Sequence, residues 1–268
     1  MGSEMCIRDS NWSVTELSEF WGCIASFFKI KFVTPYTYVV KNKNPFFKTK
    51  WFGDSCLSYV EHIERNFQNN KKAILYRNEK QEDTCITWNS LFLKAFEIKK
   101  ELLDKGVKKG DCVVGYLPNH PLTVAAFLAT NSIGAIWSCC SPDFGVESVI
   151  SRLGQLNPIV LIGTKEYTYN EKKYYLSDRI KSIQKKIPTI KSVLCCEIGF
   201  KSWNLNTEKI ISLESLAVEF DHPIWVLYSS GTTGRPKAIT HRTGGMLMEQ
   251  YLSLIHISEP TRRTPISY

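Results

Sequence analysis

Between Ser229 and Lys237 the chain sets four hydroxyls (Ser229, Ser230, Thr232, Thr233) among two glycines, Gly231 and Gly234, and ends on Arg235-Pro236-Lys237. His241 and Arg242 follow, and no acidic residue occurs from His222 to Met248. Glycines let a backbone turn so that successive N–H groups face inward, and such a concavity binds anions. Hydroxyl donors, inward amides and a lysine without a nearby carboxylate fit a polyphosphate, each of whose charged oxygens gains a strong hydrogen bond. The plainer alternative is a flexible hydroxyl-rich turn. The loop is not a P-loop, which needs four residues between its glycines and then Gly-Lys-Ser/Thr. Here two residues separate Gly231 from Gly234, and Pro236 precedes Lys237, removing one N–H and stiffening the approach to the lysine.

Such a loop needs a scaffold, and the pattern supplies one from Thr87 onward. Leu91, Ala95, Ile98 and Leu102 fall at helical spacing, with Thr87 as a cap and Gly106 as a stop. "CVVGYLP", "AIWSCCS", "IVLIG", "SVLCCEIG" and "IWVLYSS" read as strands. "LTVAAFLATNSIG", "ESVISRLGQL" and "SDRIKSIQKKI" read as helices, the last opening on a capping pair. Strands alternating with helices imply an α/β fold with a mainly parallel sheet flanked by helices on both faces. Ligands of such sheets bind at the carboxyl ends of the strands, and the 228–241 loop leaves "IWVLYSS" at that edge. The residues before about 60 break this rhythm. They are rich in aromatics (Trp12, Trp21, Phe27, Phe28, Phe46, Phe47, Trp51, Phe52) and lysine, and read as an extension packed on the α/β domain.

Composition excludes several classes. The net charge is +8, with lysines spread from Lys29 to Lys50 and from Lys165 to Lys209, and no arginine-rich stripe or reader motif points to nucleic acid. Nine cysteines, with adjacent pairs at Cys139-Cys140 and Cys195-Cys196 and no metal-type spacing, read as buried reduced thiols. That suits the cytoplasm, and no secretory signal opens the chain. Leu122–Ser141 is long enough to span a bilayer, but the interruptions at Pro118–Pro121 and Asn131-Ser132 favour a buried helix and strand over a membrane span.

"YSSGTTGRPKAITH" (228–241) resembles the phosphate-loop signature of the adenylate-forming superfamily of acyl-CoA synthetases, peptide-synthetase adenylation domains and luciferases. Within it, "GYLPNHPLTVAAFLATNSIGAIWSCCSPDFG" (115–145), "WSV" (12–14), "FW" (20–21) and "WFGDSCLSYVEH" (51–62) are similar to the acetoacetyl-CoA synthetase family, over about residues 11 to 250. Ser58 and Cys139 depart from that family's usual asparagine and serine. The resemblance implies that a carboxylic acid attacks the α-phosphate of ATP with Mg2+, and that coenzyme A then takes the acyl group from the adenylate. The acid is acetoacetate or a similar short acid; acetyl- or propionyl-CoA synthesis and a non-catalytic nucleotide-binding module are the alternatives. Ser229, Ser230, Gly231, Thr232, Thr233, Gly234 and Lys237 would bind ATP, with Arg235 and His241 as weaker candidates. The Ser141-Pro142-Asp143-Phe144 block is either a capped turn or a ligand contact.

The termini fit no element. "MGSEMCIRDS" and "SLIHISEPTRRTPISY" resemble translated adapter sequence, with ordinary disordered termini as the alternative. The expected layout is a non-native tail at 1–10, an extension at 11–60, a partial adenylation (AMP-binding) domain at 61–252 and a non-native tail at 253–268. On this reading the chain is an amino-terminal fragment. It lacks the family's adenine-binding and lysine-bearing segments, carries no identifiable catalytic or metal residue, is inactive by itself and exposes an apolar sheet edge.

Overall fold

A computed structural model describes residues 11–41, 45–65, 67, 71–200, 203–205, 207–208, 211–229 and 234–258, with side chains through Ser253. These residues divide into two compact units. One falls within Val60–Leu216 and Pro223–His241, the other within Met1–Tyr59, Ala217–His222 and Arg242–Tyr268.

The first unit carries a six-stranded sheet. Its strands are β6 (Cys112–Tyr116), β7 (Ile136–Cys140), β8 (Val160–Gly163), β11 (Ser192–Cys195), β13 (Pro223–Ser229) and β14 (Lys237–Arg242, whose last residue belongs to the second unit), in the order β11-β8-β6-β7-β13-β14. The four pairings from β11 to β13 are parallel, and Val113 at the centre stands opposite both Trp137 and Val160. The expected mainly parallel α/β sheet is therefore present. Strand alternation sends neighbouring residues to opposite faces. Val113, Val160 and Ile162 join one core cluster with Val60 of α2 (Tyr59–Glu64), Leu91, Ala95 and Ile98 of α3 (Trp88–Asp104) and Leu122, Ala125 and Leu128 of α4 (Pro121–Ser132). Val114, Tyr116 and Leu161 join a second cluster with Val149 and Leu153 of α5 (Val146–Leu153) and Ile180 and Ile183 of α6 (Ser177–Lys186). Helices thus cover both faces.

Local signals explain most boundaries. The Thr87 hydroxyl accepts from the Ser90 N–H at 3.2 Å, and Gly106 at φ 78° ends the run after α3. At α4, Pro121 takes the first turn, where a missing N–H costs nothing. His120 caps it by accepting the Leu122 N–H on Nδ1 at 3.1 Å. The capping pair expected for α6 is not formed: Leu176 occupies the cap position, Ser177 is already helical and no side chain caps the end. Two hairpins lie outside the alternating pattern, β4 (Lys72–Arg77) with β5 (Asp83–Thr87) and β9 (Glu166–Tyr169) with β10 (Lys172–Tyr175). The second turns through Asn170 and Glu171, both at positive φ.

The second unit is aromatic. It holds α1 (Leu17–Phe27), the antiparallel pair β1 (Tyr38–Lys41) and β2 (Lys50–Gly53), the pair β3 (Cys56–Leu57) and β12 (Val218–Glu219), and α7 (Thr243–Ser258). Phe52, 1% exposed, packs on Phe32, Tyr36 and Phe220 with ring centroids 4.6–5.4 Å apart. The amino-terminal residues therefore share their unit with two later segments, and α7 runs unbroken through position 252. Residues 1–10 and 259–268 lie outside the described residues. Among the described residues every cysteine is a free thiol, and no helix is long and apolar enough to cross a membrane.

Candidate functional site

The loop leaves β13 at Ser229, on the carboxyl edge of the parallel sheet, and re-enters it at Lys237, the first residue of β14. Ser229 is half-buried, whereas Gly234, Arg235 and Lys237 are exposed. Ser230, Gly231, Thr232 and Thr233 lie outside the described residues. Gly234 sits at φ 101°, a conformation that disfavours any side chain, which accounts for the second glycine of the motif.

Both stems of the loop are tied to the carboxyl end of α5. The Tyr228 hydroxyl donates to the Arg152 carbonyl at 2.7 Å. On the far side, Gln155 Nε2 donates to the Pro236 carbonyl at 3.0 Å and to the Ser151 carbonyl at 2.7 Å. Within the sheet, the buried Ser138 hydroxyl donates to the Val226 carbonyl at 2.7 Å. Burial pushes the Tyr228 phenol up to about 12, so it remains a neutral donor at any physiological pH. Gln155 was not legible as a site-supporting residue, because nothing local marks a glutamine 81 positions away as the loop's partner.

The cations near the loop separate. His241 stacks obliquely near Trp225, at 5.9 Å between centroids. Arg242 donates to the Asp221 carboxylate at 2.8 Å and to the Thr49 and Phe47 carbonyls at 2.7 and 3.0 Å, so its charge is committed to the second unit. Lys237 and Arg235 remain as the exposed cations at the loop.

The Ser141–Phe144 block after β7 is a pinned turn. Ser141 donates to Asp143 Oδ2 at 2.8 Å, and Tyr167 donates to Asp143 Oδ1 at 3.0 Å. The Tyr116 hydroxyl donates to the carbonyls of Pro142 and Phe144 at 3.0 and 2.9 Å. Arg179 reaches Pro142 as well, and the Arg152 guanidinium lies 4.6 Å from the Phe144 ring centre. Burial, with the Asp143 carboxylate next, pushes the Tyr167 phenol up to about 12. Beside this turn a cleft of about 490 Å³ opens, lined by Arg77, Asn78, His120, Ser141, Asp143 and Tyr167. A second, of about 500 Å³, lies between Lys165, Lys173 and Cys196. The hairpins that help wall both clefts were not legible in the alternating pattern. Among the described residues no group of three His, Cys, Asp or Glu side chains stands together as metal ligands.

An open, mainly parallel α/β sheet flanked by helices, with the 228–241 stretch leaving β13 at its carboxyl edge, defines the class. The chain belongs to the AMP-binding enzyme family, whose model matches residues 61–264. It is 33% identical to acetoacetyl-CoA synthetase of Macaca fascicularis over 258 residues, which are 89% of this chain and 38% of that protein. Against acetoacetyl-coenzyme A synthetase of Rhizobium meliloti it is 30% identical over 259 residues, again 89% and 38%. The solved acetoacetyl-CoA synthetase from Streptomyces lividans superposes with a TM-score of 0.80 at 35% identity, over 91% of this chain and 39% of that one. The chain thus spans about two fifths of the length of these relatives.

Proposed function

We propose that this chain carries the polyphosphate site of an ATP-dependent acid–thiol ligase that makes acetoacetyl-CoA from acetoacetate, ATP and coenzyme A in the cytoplasm. The reading is supported by a strand, β13, that ends at Ser229 on the carboxyl edge of the sheet, where the 228–241 motif begins, in a chain similar over 89% of its length to acetoacetyl-CoA synthetases. In this reading an acetoacetate carboxylate oxygen bonds to the α-phosphorus as the bond to pyrophosphate breaks. The coenzyme A sulfur then bonds to the carbonyl carbon and AMP leaves. Ser229, Ser230, Gly231, Thr232, Thr233, Gly234 and Lys237 hold the β- and γ-phosphates, and their donors stabilise the charge that gathers on the departing pyrophosphate. Magnesium enters with the nucleotide as part of the substrate, and no step is assigned to a metal held by side chains. The lysines from Lys165 to Lys209 read as a solvated surface or sites for anionic small molecules, with no arginine-rich stripe to favour nucleic acid.

Binding of magnesium-ATP and of pyrophosphate by the 268-residue chain, followed through the fluorescence of Trp225, tests the loop. Lys237→Ala should weaken binding by about ten- to a hundredfold, since a charge-assisted hydrogen bond contributes about 1.5–3 kcal/mol. Unchanged affinity in that variant would remove Lys237 from the site. Expressed from the reading frame that carries this sequence, the protein should exchange pyrophosphate into ATP faster with acetoacetate than with acetate or propionate. The reverse order would overturn the acid assignment.

A further inference from the structure

The segment that the phosphate loop leaves unexplained is the most one-sided in charge. From Lys29 to Trp51 it holds six lysines (Lys29, Lys31, Lys41, Lys43, Lys48, Lys50) and no acidic residue. Near its end Phe46–Lys48 form one 3-10 turn, and Pro45, Phe46, Phe47 and Lys48 are all exposed. Phe46 and Phe47 are 71% and 73% exposed, among the most exposed large apolar side chains of the described residues. Slack backbone does not account for this. Arg242, itself braced by Asp221, donates to the carbonyls of Phe47 and Thr49, and Thr49 is 1% exposed. Two phenylalanines are thus held into solvent on a fixed turn. Trp51 meets Phe46 edge-on at 6.4 Å and Trp21 at 6.0 Å. Lys48 lies 6.0 Å from the Phe47 ring, Lys41 is exposed, and Lys50 keeps 56% of its side chain in solvent while 3.7 Å from Asp221.

We propose that the Phe46-Phe47 turn docks peripherally on a bilayer that carries anionic headgroups. The two rings enter the boundary between headgroups and acyl chains, Trp51 lies behind them, and Lys41, Lys48 and Lys50 stay among the headgroup phosphates and carboxylates. Charge complementarity selects this partner. Lysines beside an anionic leaflet each add attraction, and one apolar anchor binds a membrane only marginally without a basic patch. Nucleic acid fits less well, because all six cations are lysines, strongly hydrated point charges without arginine's planar fork. The inference is independent of the ATP site, which lies in the other unit.

Co-sedimentation of the 268-residue chain with vesicles of phosphatidylcholine alone, or mixed with phosphatidylserine, tests it. Binding should favour the mixed vesicles by about tenfold and weaken as salt rises. The double variant Phe46→Ser, Phe47→Ser should lose about tenfold in affinity for the mixed vesicles while melting like the parent, since both rings already face solvent. Lys41→Gln with Lys48→Gln keeps the aromatic turn and should abolish the preference for anionic lipid. Failure to bind either vesicle, equal binding to both, or undiminished binding by the phenylalanine variant would overturn the proposal. So would phenylalanine-dependent binding of a single-stranded oligonucleotide, or phenylalanine-dependent self-association, without vesicle binding.

Discussion

At the scale of single residues, His120 shows how a buried polar group can serve a fold. It is 3% exposed, stacks on Phe200 at 4.9 Å and meets Tyr76 edge-on at 4.9 Å, while its Nδ1 must stay unprotonated to accept the Leu122 N–H. Burial lowers its pKa from 6.5 to about 4. The unfolded chain therefore binds the proton more readily between those two values, and stability should rise with pH across that window and level off above it. Charging the ring in place costs on the order of 3 kcal/mol. Thermal unfolding from pH 7 to 4.5 should show a steeper loss in the parent than in His120→Asn, which keeps a capping oxygen but does not titrate. Matching slopes would show that His120 contributes nothing to the acid sensitivity. The residues proposed for the polyphosphate were legible because glycine, hydroxyl and lysine coincide within nine positions, 229 to 237. The sequence hid His120, whose partners Tyr76 and Phe200 are distant in sequence, and Pro118–Pro121 there read only as interruptions.

Among the elements, the alternating strands and helices from Trp88 to Ser229 were legible because each is a short apolar run or a helical stripe closed by its own stop signal, whereas β14 lies inside the stretch read as a loop. The hairpins β4–β5 and β9–β10 were not. The strands β5, β9 and β10 are half-exposed and mix polar with apolar residues, and the four-residue apolar run Ala73–Tyr76 of β4 stands before the alternating pattern begins at Thr87. The glycine within "CVVGYLP" carries a signal that only the sheet explains. A Cβ on Gly115 would fall 2.8 Å from the Trp137 ring and 2.9 Å from the Cys139 sulfur, both on the neighbouring strand β7. Trp137 is 7% exposed and has little room to retreat. Gly115→Ala should therefore overpack the centre of the sheet and cost about 1–3 kcal/mol. Equilibrium denaturation in urea measures it. A variant as stable as the parent would mean that Trp137 and Cys139 move aside freely.

For the whole molecule, the sheet order leaves one consequence at its β14 end. Among the described residues β14 pairs only with β13, and from Lys237 to Thr240 every residue of β14 is exposed. Ile239 is 46% exposed, and Leu227 on β13 is 52% exposed. An open strand edge bearing apolar side chains is a template for pairing with another chain. Lys237 sets a positive charge at the strand's first residue, which discourages close approach of a like edge, but Ile239 follows two residues on. Self-association that grows with concentration should therefore be measurable by sedimentation velocity. Covering half of an isoleucine contributes about 1 kcal/mol, so Ile239→Lys should weaken association about fivefold or more, with repulsion added to the lost burial. Its melting temperature should stay close to the parent's, because the side chain is not part of either core cluster. A chain that remains monomeric at every concentration, or one whose association ignores Ile239→Lys, would show that this edge is not adhesive. The distinction from the lipid-docking turn is then experimental: Phe46→Ser with Phe47→Ser should leave the self-association unchanged, and Ile239→Lys should leave vesicle binding unchanged.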